Sequence, residues 1–170
     1  MELVLWLLVL QGVMGAFDNL WHHEFTENLP NTPTARNEIA LHSVRELIYG
    51  VIFLMLGWGI WQGWYAAALA GLILVEVFIT LWDFIEEDLT RKLPPLERVL
   101  HTLLAMNYGA VLLALTPILW SWFSAPSAFT GASYGMLSSI MTLYAIGILA
   151  YVYKFPLTSV HRFGISTQRF

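Results

Sequence analysis

Glu38-Ile-Ala-Leu-His42-Ser43, running on to Tyr49-Gly50, returns later in the chain as Glu97-Arg-Val-Leu-His101-Thr102, running on to Tyr108-Gly109. Glu, Leu, His, a hydroxyl residue, Tyr and Gly keep the same spacing in both copies. A Leu-Pro pair precedes each, Leu29-Pro30 and Leu93-Pro94. Further upstream, His22-His23-Glu24-Phe25-Thr26 aligns with Glu86-Glu87-Asp88-Leu89-Thr90 at an offset of 64, against 59 for the Glu–His pairs, so one loop is shorter. Each copy begins where polar sequence gives way to a long apolar stretch. The pattern therefore predicts two duplicated helical hairpins.

The stretches around the copies set the environment. Four of them, about Leu3–Trp21, Leu41–Trp61, Tyr65–Phe84 and Val99–Trp122, approach or reach the roughly 20 residues that a spanning helix needs. A fifth, about Tyr134–Tyr153, is broken by Ser and Gly but is otherwise apolar and uncharged. The first segment begins with Glu2 where a signal peptide would carry Lys or Arg, and it is expected to remain as a helix. The expected architecture is an all-α integral membrane protein of five transmembrane helices, the first four a pseudo-two-fold bundle. Its parts are a first hairpin at 1–62, a second at 63–123, a fifth helix at 131–155 and a tail at 156–170. Parallel repeats of this kind are related by an axis along the membrane normal.

Composition agrees. Of 170 residues, 58% are hydrophobic and 12% charged, about half the charged share of a soluble domain, and the mean hydropathy is +0.64. A soluble globular domain, a disordered chain and a nucleic-acid binder are excluded. With no cysteine, disulfides, thiolate metal sites, iron–sulfur clusters and thiol catalysis are excluded too. All eight basic residues (Arg36, Arg45, Arg91, Lys92, Arg98, Lys154, Arg162 and Arg169) fall on one side of the five spans. The positive-inside rule makes that side cytoplasmic, with the N-terminus outside and the C-terminus inside. The expected location is a bacterial inner membrane. Trp58, Trp61, Trp64, Tyr65, Trp120, Trp122 and Phe123 cluster at the opposite turns and read as interfacial anchors.

Helix geometry then gathers the polar residues. Glu38 and His42 lie four apart and share a face, as do Glu97 and His101, with Tyr49 and Tyr108 seven residues further along the same stripes. Asp18 and His22 are also four apart. Each repeated histidine precedes its outer tryptophan, Trp61 or Trp120, by 19 residues, which is about 28 Å of helix against a hydrocarbon core of about 30 Å. Both histidines thus sit at the inner boundary. The ends of segments one and three bring His22, His23, Glu24, Asp83, Glu86, Glu87 and Asp88 to the same level. A bundle would converge these groups into one polar layer.

Carboxylates and imidazoles without thiolates suit iron, manganese or zinc. The predicted metal ligands are His22, His23, Glu38, His42, Asp83, Glu86, Glu87, Glu97 and His101. In the order carboxylate, Glu-plus-His, carboxylate, Glu-plus-His, the four helices resemble the ferritin-like diiron proteins in ligand logic, over about 90 residues. The chain departs from that pattern in two respects. The Glu–His spacing is four instead of three, and helix one offers His22 and His23 where a Glu belongs. The resemblance implies two metal ions, iron first. A bis-His haem on His42 and His101 is a weaker alternative, because porphyrins prefer apolar walls. A network of ion pairs with the neighbouring Arg and Lys is the structural alternative.

Glu76 stands apart, 11 residues from Tyr65 and so about 17 Å deep, where an ionisable group marks function by default. It was expected to bond to Gln11, Asn107 or a tyrosine, and with Tyr49 and Tyr108 it forms the candidate catalytic set. Segment five, with Gly131, Ser133, Gly135, Ser138, Ser139 and Gly147, was expected to pack closely on the bundle or on a partner. The expectation is a dimetal oxidoreductase acting on a lipid-phase substrate, supplied with electrons by a separate reductase. The competing expectations are a small non-catalytic subunit of a larger membrane complex, a homo-oligomer included, and an ion carrier through the bundle.

Overall fold

The computed structural model describes residues 1–26, 36–90 and 92–163, and the side chains of these except 23–24, 36–38, 90 and 154–163. His23 and Glu38, both expected as ligands, have side chains outside the described residues. The chain forms α1 (Glu2–Phe17), a π-helical run (Asp18–Thr26), α2 (Arg36–Trp58), β1 (Gly59–Trp61), α3 (Trp64–Thr90), α4 (Pro95–Phe123), β2 (Phe129–Gly131) and α5 (Met136–Phe163). Five helices are long and apolar enough to cross a membrane. In hydrocarbon a helix satisfies its backbone polar groups within itself, which is why such apolar runs take this form. Their outward faces carry Leu10, Val13, Phe78, Leu113 and Leu143, all exposed and suited to lipid. The fifth helix starts later than the expected 131 and runs on to Phe163, through most of the stretch read as a tail.

Helix α1 packs on α4, α2 packs on α3, and α5 lies along α2 and touches α1. Leu5, Leu8, Ile52, Leu56, Leu69, Leu115 and Met141 form the fully buried centre. The close approach of α5 comes from its serine and its partners' glycines. Ser138 donates to the Gly57 carbonyl at 2.6 Å, and a Cβ at Gly57 would stand 2.9 Å from Met141. Tyr144 donates to the Val9 carbonyl at 3.2 Å and covers Gly12, where a Cβ would meet the ring at 2.6 Å. Gly135 and Gly147 of segment five, and Gly131 just before it, meet nothing within 4 Å.

At the end away from the charged residues, β1 and β2 pair antiparallel, with Gly59 opposite Gly131 and Trp61 opposite Phe129. The Trp61 and Phe129 rings lie 4.7 Å apart. Gly63, at φ +59°, lets the chain turn into α3 under Ser127, whose Oγ accepts from the Trp64 N–H at 3.1 Å. The sequence had suggested only aromatic anchors here. The ribbon ties the α2–α3 turn to the α4–α5 loop, so both halves of the bundle are clamped at this end.

Candidate metal centre and cavity

The π-helical run sets the site. Its i→i+5 hydrogen bonds widen the turn relative to an α-helix, a feature that recurs at functional sites. Asp18 and Asn19, consecutive residues at its start, reach different partners: Asp18 meets His101 of α4 and Asn19 meets His42 of α2. One short run thereby reaches both α2 and α4.

Around His101, each oxygen of Asp18 faces a histidine. Oδ1 lies 2.8 Å from His22 Nδ1, and Oδ2 lies 3.0 Å from His101 Nε2. The other His101 nitrogen, Nδ1, faces Glu87 Oε2 at 3.3 Å. The Phe84 ring stacks on the imidazole, with centroids 5.6 Å apart. Glu97 stands one turn before His101 on α4 and is fully buried. Asp18, Glu97 and His101 offer ligand atoms within 4.8 Å of one another. A carboxylate behind one ring nitrogen, leaving the other to face a ligand cluster, is the outer arrangement that fixes a metal-binding histidine. An imidazole between two carboxyl groups is satisfied by a proton on both nitrogens, by a protonated carboxyl on one side, or by a metal ion on one nitrogen.

Around His42 the logic differs. Arg45 Nη2 lies 2.7 Å from His42 Nδ1, and Arg45 Nη1 lies 2.6 Å from Asp83 Oδ2. A guanidinium can only donate, so Nδ1 accepts from it. Nε2 then carries the ring proton and donates to Asn19 Oδ1. Both ring nitrogens of His42 are thereby engaged. Asp83 is fully buried, and its charge is met by Arg45. The guanidinium lies between His42 and Asp83.

Deeper in the bundle lies a second polar layer. Glu76 is fully buried, and Oε1 accepts from Thr80 Oγ1 at 2.6 Å. Among the described residues, Oε2 and the buried Tyr108 hydroxyl find no hydrogen-bond partner. Tyr49 and Tyr108 meet edge to face at 5.5 Å and both lie within electrostatic reach of Glu76. The expected bond from Glu76 to Gln11 or Asn107 does not form. Asn107 Nδ2 donates instead to Gln11 Oε1 at 2.8 Å and to the Leu7 carbonyl at 3.0 Å.

A cavity of about 280 Å³ joins the two layers. Asp18, Asn19, His42, Arg45, Glu46 and His101 line one end, and Gln11, Tyr49 and Tyr108 line the other. Phe53, Phe84, Tyr144 and Tyr151 line its walls, with Gly12, Gly15, Ala16 and Gly147 along the α1–α5 side.

Of the nine predicted ligands, the structure brings Glu97 and His101 together with Asp18, sets Glu87 and His22 against members of that group, and gives His42 and Asp83 to Arg45. Glu86 is half-buried and outside the group. Asp18, Asn19, Arg45 and Glu46 were missed as site residues, although the Asp18–His22 spacing signalled the first. Comparison with known protein families, curated proteins and solved structures finds no match to this chain.

Proposed function

We propose that this chain is a membrane-embedded oxidoreductase that holds a redox metal, iron in the first instance, on Asp18, Glu97 and His101. The observation that carries the reading is the His101 ring, backed by Glu87 on one nitrogen and facing Asp18 with the other, with Glu97 offering a ligand atom within 4.8 Å of both Asp18 and His101, at one end of a cavity. Oxygen and imidazole donors without sulfur fit iron, manganese and zinc alike. Iron alone of the three commonly supplies both redox chemistry and oxygen activation. Glu87 holds the His101 tautomer. His22 holds the orientation of Asp18. Phe84 and the cavity walls keep water away and leave room for an apolar substrate from the lipid phase.

The two-ion version would add His42, Asp83 and Glu38 as a second ligand set, and it requires Arg45 to swing out. The single-ion form needs no such movement and is the form proposed. The identical Glu–His–Tyr spacing, with α1 packed on α4 as α3 is on α2, supports a duplicated hairpin with a two-fold axis along the bundle. The placement of Lys and Arg supports a cytoplasmic charged end, an outer N-terminus and a bacterial inner membrane. Electrons come from a separate reductase, since the chain has no nucleotide or flavin fingerprint.

A second reading rests on the same ring. A doubly protonated His101 between Asp18 and Glu87 also satisfies every short contact. The layer is then an ion-pair clamp in a non-catalytic subunit. Metal analysis of the purified protein decides. About one iron per chain, lost in Glu97→Gln and in Asp18→Asn while both variants still insert and purify, is the expected result. Absence of metal from the wild type, or its retention in both variants, overturns the metal reading in favour of the clamp.

A further inference from the structure

The polar side chains around the cavity are engaged with one another and not with its interior. Asn19 and Arg45 take the two ring nitrogens of His42, and Asp18 and Glu87 take those of His101. Gln11 accepts from Asn107 at 2.8 Å and donates toward Tyr49 at 3.5 Å. Thr80 donates to Glu76, and Tyr144 donates to the Val9 carbonyl. The Tyr108 hydroxyl is the exception among the described residues, but it is itself buried, so the ring forms the wall and the oxygen does not. A ligand with a polar group would break one of these bonds or bury its own group unpaired, and either is costly. The lining therefore selects a molecule that has no polar group.

Size and access narrow the class further. An apolar cavity of about 150 Å³ holds a benzene ring. This one, at about 280 Å³, holds roughly twice as much, on the order of a dozen carbon atoms. Its lining reaches the outer surface of the bundle at small residues, since Ala16 of α1, Ala105 of α4 and Gly147 of α5 line it and are exposed. A Cβ at Gly15 or at Gly147 would meet nothing within 4 Å, so the α1–α5 seam is uncovered there, while Tyr144 closes it at Gly12. That surface faces lipid, in which a hydrocarbon is already dissolved. Passing from bilayer to cavity gains it no hydrophobic free energy, so close contact with the aromatic walls supplies the binding.

We propose that the cavity binds an unfunctionalised hydrocarbon chain, on the order of a dozen carbons long, taken sideways from the bilayer between α1 and α5. Asp18 and His101 line one end of the cavity, so such a chain lies with plain C–H bonds, and no head group, beside them. This deepens the oxidoreductase reading by naming its substrate class, and the role of substrate rests on that reading. The binding itself is made by the cavity walls and does not depend on a metal.

The test uses the full chain in nanodiscs of defined phospholipid, photolabelled with an undecane that carries one diazirine, the labelled residues being mapped by mass spectrometry. Saturable labelling of the cavity residues Phe53, Phe84 and Ile148 is expected, above that of the lipid-facing Phe78 and Leu113, and unchanged by stripping metal with a chelator. At equal membrane concentration, unlabelled undecane is expected to compete about tenfold better than undecanol, whose hydroxyl finds no free partner. Gly147→Leu, which fills the seam from the lipid side, is expected to remove most of the cavity labelling. Labelling confined to lipid-facing residues, equal competition by undecanol, or cavity labelling that excess undecane cannot displace overturns the proposal. The last result would assign the space to a phospholipid acyl chain. Cavity labelling in a chain that never holds metal keeps the binding and removes the metal reading. Metal without cavity labelling does the reverse, so the two fail separately.

Discussion

The two histidines occupy equivalent places in a repeated sequence, yet their surroundings have opposite electrical needs. His42 meets a guanidinium, an amide oxygen, a carboxylate that the same guanidinium balances, and Glu46 at 3.7 Å. His101 meets carboxylates on both sides, with a third at Glu97 close by. Similar sequence stretches thus carry different chemistry around their histidines. One half carries its own cation in Arg45. The other concentrates negative charge on an imidazole, and burying such charge is costly unless a proton or a metal ion compensates it.

The largest expected effect comes from removing that internal cation. Arg45→Ala leaves Asp83 buried and unpaired and frees the His42 lone pair. Removing one partner of a buried pair costs about 3–5 kcal/mol, read as a fall in the unfolding midpoint in mixed micelles. Added ferrous or zinc ion is expected to recover part of that loss and to raise the metal content from one to two per chain. The halves would then have been made alike. Instability that no metal relieves would show that Arg45 does not stand in for an ion, and the comparison would break.

A smaller effect sharpens the same contrast. His42→Gln can still accept from Arg45 and donate to Asn19, so it is expected to cost about 1 kcal/mol and to leave the metal content unchanged. His101→Gln is expected to lose the metal altogether. Equal metal loss in both variants would mean that the two halves act as one dimetal site.

The sequence made some of this legible, for physical reasons that can be traced. The five spans were readable because apolar runs of that length have few alternatives in a bilayer. Glu97 and His101 were readable because a four-residue step on one helix is local geometry. The four-residue step paired Asp18 with His22, as the structure does, but nothing local to that helix shows that Asp18 reaches His101 across the bundle. Arg45 reads in sequence as a solvated charge at a helix end. Its burial depends on α3 closing over α2, which no local pattern encodes. The β1–β2 ribbon was likewise invisible, since three-residue strands hold their place through pairing with each other across the bundle end.

The halves also differ at depth, where Glu76 of the second repeat aligns with Gly12 of the first. Gly12 admits the Tyr144 ring, and with it α5. Glu76 is fully buried, and among the described residues Thr80 donates to its Oε1 at 2.6 Å. Thr80→Val keeps the shape of the side chain and removes that bond. The expected cost is about 1 kcal/mol, seen as a small drop in the unfolding midpoint with metal content unchanged. An unchanged midpoint would mean that Glu76 finds an equal partner without Thr80. The Tyr108 hydroxyl is the group placed to serve.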